Sequence, residues 1–190
     1  ASTHGLGKML PVRADDAGVW RCDITVRDEH GEAVAFLYSG RSAAPGQTTR
    51  ICSPPRLGAL NAWLDSDGAR MAARYEHADN GTVHRLSLRN DSDRARRMTL
   101  HLHTTTPEHI TYRLWHAATN TWRPTDHGTA TVTVDAHSST TLHLVGGAID
   151  MHDQFAAAAT AAPSVTIRRI GDALRFDVDH PLARHLTVRV

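Results

Sequence analysis

Four segments between residues 97 and 147 alternate apolar with polar side chains, and this alternation limits the fold more than any other feature of the chain. Residues 98–103, 110–115, 129–134 and 141–145 place an apolar residue at every second position, with Thr, His or Arg between. Successive side chains of a strand point to opposite faces of a sheet, so a two-residue period predicts a half-buried strand. The alternation assigns these residues to the core: Met98, Leu100, Leu102, Ile110, Tyr112, Leu114, Val132, Val134, Leu142 and Leu144.

Similar segments, separated by turn residues at a spacing of about ten residues, occur along most of the chain. Residues 149–162 differ, because they are rich in alanine and are followed by Pro163, which predicts one short helix. This pattern predicts an all-β fold, an antiparallel β-sandwich of the immunoglobulin or fibronectin type. We expect an N-terminal β segment at 1–56, a central β-sandwich at 57–148, and a helix or linker with a C-terminal hairpin and strand at 149–190.

The charge of the chain excludes some classes of partner. The formal net charge is +1, and the arginines are interleaved with Asp and Glu instead of clustered. No global field therefore favours nucleic acid or an anionic membrane surface, and we expect no nucleic-acid partner. We also expect no membrane span, because the sequence contains no run of about 18 apolar residues.

Cys22 and Cys52 are the only cysteines of the chain. In a strand-rich chain with many Thr, Ser and Asn turns, we predict a disulfide between them, which would stabilise the fold by about 3–4 kcal/mol in the chain-entropy model. The alternative is two buried free thiols in a cytoplasmic protein. A two-cysteine metal site is not indicated, because neither cysteine is in a Cys-x-x-Cys spacing.

His101 and His103 form the most suggestive motif for metal binding. Side chains at i and i+2 of a strand point the same way, so both imidazoles can reach one ion, such as zinc. His143 occupies a polar position in the alternation of its own strand, so its side chain is expected to point away from the core. It is the third candidate ligand. With Glu108, the spacing partly resembles the His-x-His-x(3,4)-Glu motif of cupins. The alternative, in a chain with 14 histidines, is a solvated surface that binds no cofactor.

Two tryptophans are expected to face solvent. Trp115 lies two residues after Arg113, so both side chains are expected on the outward face of the strand. Trp122 is predicted to lie in a loop. Because aromatic faces can stack on sugar rings, Trp115, Trp122 and Arg113 are the candidate carbohydrate-binding residues. If the alternating strands are neighbours in one sheet, these residues share a single surface with the histidines. The alternative is that each tryptophan covers a sheet edge or an interdomain contact.

Neither calcium binding nor catalysis has a strong motif in this chain. Acidic turns at 65–68, 79–81 and 90–93 offer oxygen ligands for Ca²⁺, but Asp and Asn are also favoured in turns for local hydrogen bonding. The sequence contains no Gly-x-Ser-x-Gly, no phosphate-binding glycine loop and no His-Glu-x-x-His. We therefore predict no catalytic residues.

Residues 82–145 resemble the small β-sandwich accessory domains at the C-terminal end of bacterial extracellular enzymes, notably glycoside hydrolases. The resemblance rests on Tyr112-Arg-Leu-Trp115 and on the segment from Thr131 to Val145, where a Val-x-Val-x-Ala strand leads into an alternating Thr/Leu strand. It implies an extracellular, non-catalytic module that binds carbohydrate or packs on a catalytic chain. The alternatives are a metal-binding protein or metal-dependent enzyme using His101 and His103, and a structural subunit of a larger secreted enzyme.

Overall fold

The computed structural model describes residues 20–41, 50–52, 58–66, 81–161, 164–179 and 186–189. Over these residues the chain forms thirteen β-strands and one helix, and all paired strands are antiparallel. The predicted all-β, sandwich-like fold with one short helix is confirmed. No helix in this part of the chain is long and apolar enough to cross a membrane.

The elements are numbered in chain order: β1 (Trp20–Arg27), β2 (Ala33–Arg41), β3 (Arg50–Cys52), β4 (Leu60–Ser66), β5 (Gly81–Asn90), β6 (Arg96–Thr105), β7 (Thr111–His116), β8 (Thr121–Arg123), β9 (Thr129–Val134), β10 (Ser138–Gly147), α1 (Ile149–Thr160), β11 (Ser164–Ile170), β12 (Ala173–Asp179) and β13 (Leu186–Arg189). Sheet A has the order β3-β2-β1-β6-β9, sheet B the order β4-β5-β10-β7-β8, and sheet C the order β11-β12-β13. Sheet A therefore joins strands from both sides of residue 56.

The inner faces of sheets A and B form one apolar core. Along β1, buried residues alternate with half-buried ones, so that Trp20, Cys22, Ile24 and Val26 face inward. All ten residues assigned to the core from the alternation belong to it, so this prediction is confirmed. Each of the two sheets thus has one dry face that packs on the other sheet, as in other sandwiches.

A turn at 28–31 connects β1 to β2. The Asp28 carboxylate accepts hydrogen bonds from the backbone N–H groups of His30 and Glu32, both at 2.9 Å. Gly31 has a φ of 80°, which a residue without a Cβ adopts at little cost. Side-chain and backbone chemistry in the turn therefore fix the register of this hairpin.

The four alternating segments divide between the two sheets. Strands β6 and β9 lie in sheet A, whereas β7 and β10 lie in sheet B. Their apolar sides meet in the core, so their polar sides point to opposite surfaces of the sandwich. The single surface of histidines and tryptophans expected from neighbouring strands in one sheet does not form.

The predicted disulfide between Cys22 and Cys52 is wrong, because Cys22 is a free thiol in the core. Strand β2 lies between the two cysteines: Cys22 is opposite Ser39 and Cys52 is opposite Tyr38. Two strand spacings separate the Cα atoms by about 10 Å, beyond the roughly 7 Å that a disulfide spans. Burial raises the pKa of the Cys22 thiol far above its usual value, and the nearby Asp23 carboxylate adds to the shift.

Candidate functional site

Helix α1 covers the outer face of sheet B and buries an aromatic cluster beneath it. Trp115 of β7 and Trp122 of β8 are opposite each other, with ring centroids 5.0 Å apart in an edge-to-face arrangement. The Phe155 ring of α1 lies 5.7 Å from the Trp115 ring and 6.0 Å from the Trp122 ring. The aromatic cluster comprises Val83, Trp115, Trp122, Val145, Met151, Phe155 and Ala159.

The expectation that Trp115 faces solvent is therefore wrong, since only 2% of it is exposed. Trp122 is half-buried and belongs to a strand, not to a loop. The Arg113 guanidinium lies 4.0 Å from the centroid of the Trp122 ring, in cation–π contact. The structure thus brings the three candidate carbohydrate-binding residues together, but the docked helix leaves the Trp115 ring no face for a sugar.

One signal in the sequence points to this cover. Met151, Phe155 and Ala159 recur at intervals of four residues, the spacing of a buried stripe on a helix, and all three are buried. The stripe requires an apolar surface, and Trp115 offers one on the outward side of its strand. Gly81 lets the helix approach closely, because a Cβ there would lie 2.8 Å from the Met151 Cγ.

His152 anchors the first turn of α1 to sheet B and is fully buried. Its Nε2 lies 3.0 Å from the Thr111 carbonyl oxygen, 3.2 Å from the Gly147 carbonyl oxygen and 3.3 Å from the Thr111 hydroxyl. Its ring centroid is 5.3 Å from that of Trp122. Burial lowers the pKa of His152 below its ordinary value, and the positive charge of Arg113 acts in the same direction.

The three candidate metal ligands do not converge on one site. His101 and His103 are exposed on the outer face of sheet A, whereas His143 is 4% exposed on sheet B, with its ring 6.2 Å from that of Phe155. The sandwich core lies between the two faces, so the predicted three-histidine site is wrong. In the described part of the chain, no three His, Cys, Asp or Glu side chains are grouped so that they could hold a metal ion. Metal binding by the His101–His103 pair alone stays a prediction.

The acidic turns that the structure describes use their carboxylates in local contacts. Asp65 forms an ion pair with Arg85 at 2.9 Å, and the Asp93 carboxylate lies 2.7 Å from the His137 Nε2. Residues 67–80, which include most of the turn at 79–81, lie outside the described part. The carboxylates at 65 and 93 therefore fit the turn interpretation better than a calcium site.

The outer face of sheet A carries an exposed aromatic ring within a polar row. Phe36 is 55% exposed and lies opposite Thr25, which in turn lies opposite His101 on the next strand. The row ends at Thr129 of β9, whose hydroxyl is 3.0 Å from the His101 Nδ1. No helix of the described residues packs on this face in the way that α1 packs on sheet B.

Sheet C has one mostly apolar face, which also carries Arg169, and one face rich in charged residues. Val165 and Ile167 of β11 share a face with Leu174 and Phe176 of β12. Val165 is 52% and Ile167 is 58% exposed, while Leu174 and Phe176 are half-buried. An apolar sheet face so open to water is unusual in a completed fold.

The opposite face of sheet C is charged and internally paired. Asp177 accepts hydrogen bonds from Arg168 Nη2 and from Arg175 Nε, each at 2.8 Å. Both bonds lower the pKa of the Asp177 carboxyl, and the bond from Arg168 has the larger effect. The charges on this side are thus paired, and among the described elements none is seen to form a layer over the apolar side.

No family model matches this chain, and no curated protein matches it. The fold and these surfaces define a β-sandwich with one helix-covered face, one open polar face and an additional amphipathic sheet.

Proposed function

We propose that the chain is a non-catalytic β-sandwich module of an extracellular protein that packs, through the apolar face of sheet C, on a β-sheet of a larger catalytic chain. The observation that carries this proposal is the exposure of Val165 and Ile167, which is above 50% for both although they share a face with other apolar residues. Sheets with one apolar face are normally stable when a second layer covers that face.

Among the described residues, no other sheet or helix is available to cover the apolar face of sheet C. The inner faces of sheets A and B cover each other, and α1 packs on the outer face of sheet B. The remaining outer face, that of sheet A, is mostly polar. A covering sheet from outside the described residues is the arrangement that these surfaces favour.

The size of the apolar face favours a partner held by further connections. Three short strands cover roughly 300 Å², given the spacing and rise of β-strands. A stable interface between separate proteins buries about 800 Å² on each partner. The face therefore fits one layer of a larger assembly better than a free-standing dimer. The resemblance of residues 82–145 to accessory domains supports a secreted catalytic chain as the partner.

A single lysine substitution tests this packing. In the protein purified from its natural source, Ile167→Lys should lower the free energy of unfolding by about 2–4 kcal/mol. The reason is that the lysine ammonium would be buried under the covering layer without a partner. In the isolated 190-residue chain, the same substitution should change stability by less than about 0.5 kcal/mol, because Ile167 is exposed there. Denaturant unfolding of both forms provides the comparison.

Ile170→Lys is the matched control, since Ile170 is 57% exposed and shares the charged face with Arg168. We expect it to be near neutral in both forms. Equal and small effects of the two lysines in the native protein would overturn the proposal.

Carbohydrate binding is a second candidate function, and the exposed Phe36 ring favours it. The ring can stack on the apolar face of a sugar, while His101 and Thr25 beside it offer hydrogen-bonding groups for hydroxyls. Two residues further along β6, on the same face, His103 lies opposite Asp23 in the strand register, and the Asp23 carboxylate is paired with Arg21 at 3.0 Å. The carbohydrate prediction thus moves from the tryptophans of sheet B to the outer face of sheet A.

Affinity electrophoresis in gels that contain soluble polysaccharides tests this second function. We expect retardation of the unmodified chain by at least one polysaccharide, loss of retardation in Phe36→Ala, and its preservation in Phe36→Tyr, which retains the ring. Phe36→Ala should remain folded because the side chain is 55% exposed. Unretarded migration in every gel, or equal retardation of all three proteins, would refute binding at this face.

A further inference from the structure

Docking on sheet B, more than capping, holds helix α1 in place. The N-cap residue Ala148 has no side-chain hydrogen bond to the first turn, and the last turn has no basic residue. A twelve-residue helix is marginal by itself in water, so its stability depends on the face that it buries. That face is formed by Met151, His152, Phe155 and Ala159.

His152 is the titratable group within this buried face. Its Nε2 is surrounded by oxygen atoms of Thr111 and Gly147, so the proton of the neutral ring resides on Nε2 and is donated to them. Its Nδ1 is buried and has no hydrogen-bond partner among the described residues. A second proton would have to be placed on Nδ1, where no acceptor receives it.

The charges around His152 oppose that second proton more than they favour it. Among the charged groups, Arg113 of β7 acts against the imidazolium and Asp153, the next residue of α1, acts in its favour. The Thr111 and Gly147 carbonyl oxygens also favour it, but burial of the ring outweighs them and the pKa is lowered. From β8, the ring of Trp122 faces His152, and Arg113 is already stacked on that ring. From β10, the Gly147 carbonyl oxygen faces His152, and His143 is the further titratable group under the helix, beside Phe155.

We propose that helix α1 is an acid-releasable cover over the Trp115–Trp122 pair, and that protonation of His152 is the trigger for its release. At neutral pH the neutral imidazole ties the first turn to Thr111 and Gly147. In acid, the charged ring is accommodated better in water than under the helix, so the population of undocked helix rises. Undocking uncovers the aromatic cluster on the outer face of sheet B.

The direction of the pH dependence follows from the lowered pKa of His152 in the docked state. A released helix has a histidine with an ordinary pKa of about 6.5. Docking is therefore fully stabilised above about pH 6.5 and loses stability as the pH falls from there toward the lower pKa of the docked state. With an undocked pKa near 6.5, up to about thirtyfold of protection is lost by pH 5.

Hydrogen exchange with mass spectrometry of the full chain tests the proposal. After correction for intrinsic rates, protection of the α1 amides should fall between pH 7.5 and pH 5, by up to about thirtyfold, while protection of β1 and β6 changes less. His152→Gln keeps an N–H donor but does not titrate, so its α1 protection should stay constant across this range. His143→Gln should retain the fall seen in the unmodified chain.

Two results would overturn the proposal: constant α1 protection in the unmodified chain, or an undiminished fall in His152→Gln. If His152→Gln leaves the helix undocked already at pH 7.5, NMR titration of the unmodified chain decides. Helix release at the same pH as the protonation of the His152 ring supports the proposal, and release at a different pH refutes it.

Discussion

Asn90→Ala is expected to lower the free energy of unfolding by about 3 kcal/mol, one of the two largest effects of a single substitution in this chain. Asn90 is fully buried at the end of β5, and its Nδ2 donates to the carbonyl oxygens of Arg94 at 2.7 Å, Val134 at 3.0 Å and Asp135 at 3.2 Å. Its Oδ1 accepts from the backbone N–H of Ser92 at 3.0 Å and from the Ser92 hydroxyl at 2.6 Å. One amide thus connects sheet B to the end of β9 in sheet A.

Two further variants separate the amide from the turn that surrounds it. Asn90→Asp should cost at least as much as the alanine variant above the pKa of the new carboxyl, because a carboxylate faces three carbonyl oxygens without a proton to donate. Ser92→Ala should cost less than about 1 kcal/mol, because it removes only the hydroxyl of a turn residue. Urea unfolding followed by circular dichroism measures the free energy of unfolding of all three variants. A loss below about 1 kcal/mol in Asn90→Ala would contradict the role of this amide.

Trp115→Ala is the second substitution with a large expected effect, a loss of about 3–5 kcal/mol. The ring is buried between sheet B and α1, and it contacts Trp122 and Phe155 in edge-to-face geometry. Its removal leaves a cavity under the helix and takes away the surface on which Phe155 packs. We also expect the α1 amides to lose protection from hydrogen exchange at neutral pH.

Phe36→Ala is the matched control for the tryptophan substitution, because it removes an aromatic ring that is 55% exposed. Its expected cost is below about 1 kcal/mol. Denaturant unfolding of both variants under the same conditions gives the comparison. Similar small losses for Trp115→Ala and Phe36→Ala would show that α1 does not cover sheet B in solution.

Much of the sandwich could be predicted from local alternation, because a period of two decides which side chains of a strand share a face. All the residues from Met98 to Leu144 that alternation assigned inward are in the core. The short helix was also predictable, since an alanine-rich segment ahead of Pro163 leaves few other conformations. These features depend on residues close to one another in sequence.

The sequence-based predictions that are wrong concern contacts between segments far apart in the sequence. Alternation gives the parity of Trp115 and His143 correctly but does not reveal that α1 covers that side of sheet B. It also does not say in which sheet a strand lies, which is why His101 and His143 were expected on one surface and occur on opposite ones. The disulfide prediction is wrong for a related reason. The order of strands in the sheet places β2 between Cys22 and Cys52, and the spacing of the cysteines in the sequence does not reveal this order.

Hydroxyl-radical footprinting of sheet C is the most direct test of the proposal that this module packs on a larger protein. Oxidation of Val165 and Ile167 should be rapid in the isolated chain and severalfold slower in the native protein as its source produces it, while oxidation of Ile170 on the opposite face is the same in both. Equal oxidation of Val165 and Ile167 in the two preparations would contradict the proposed function.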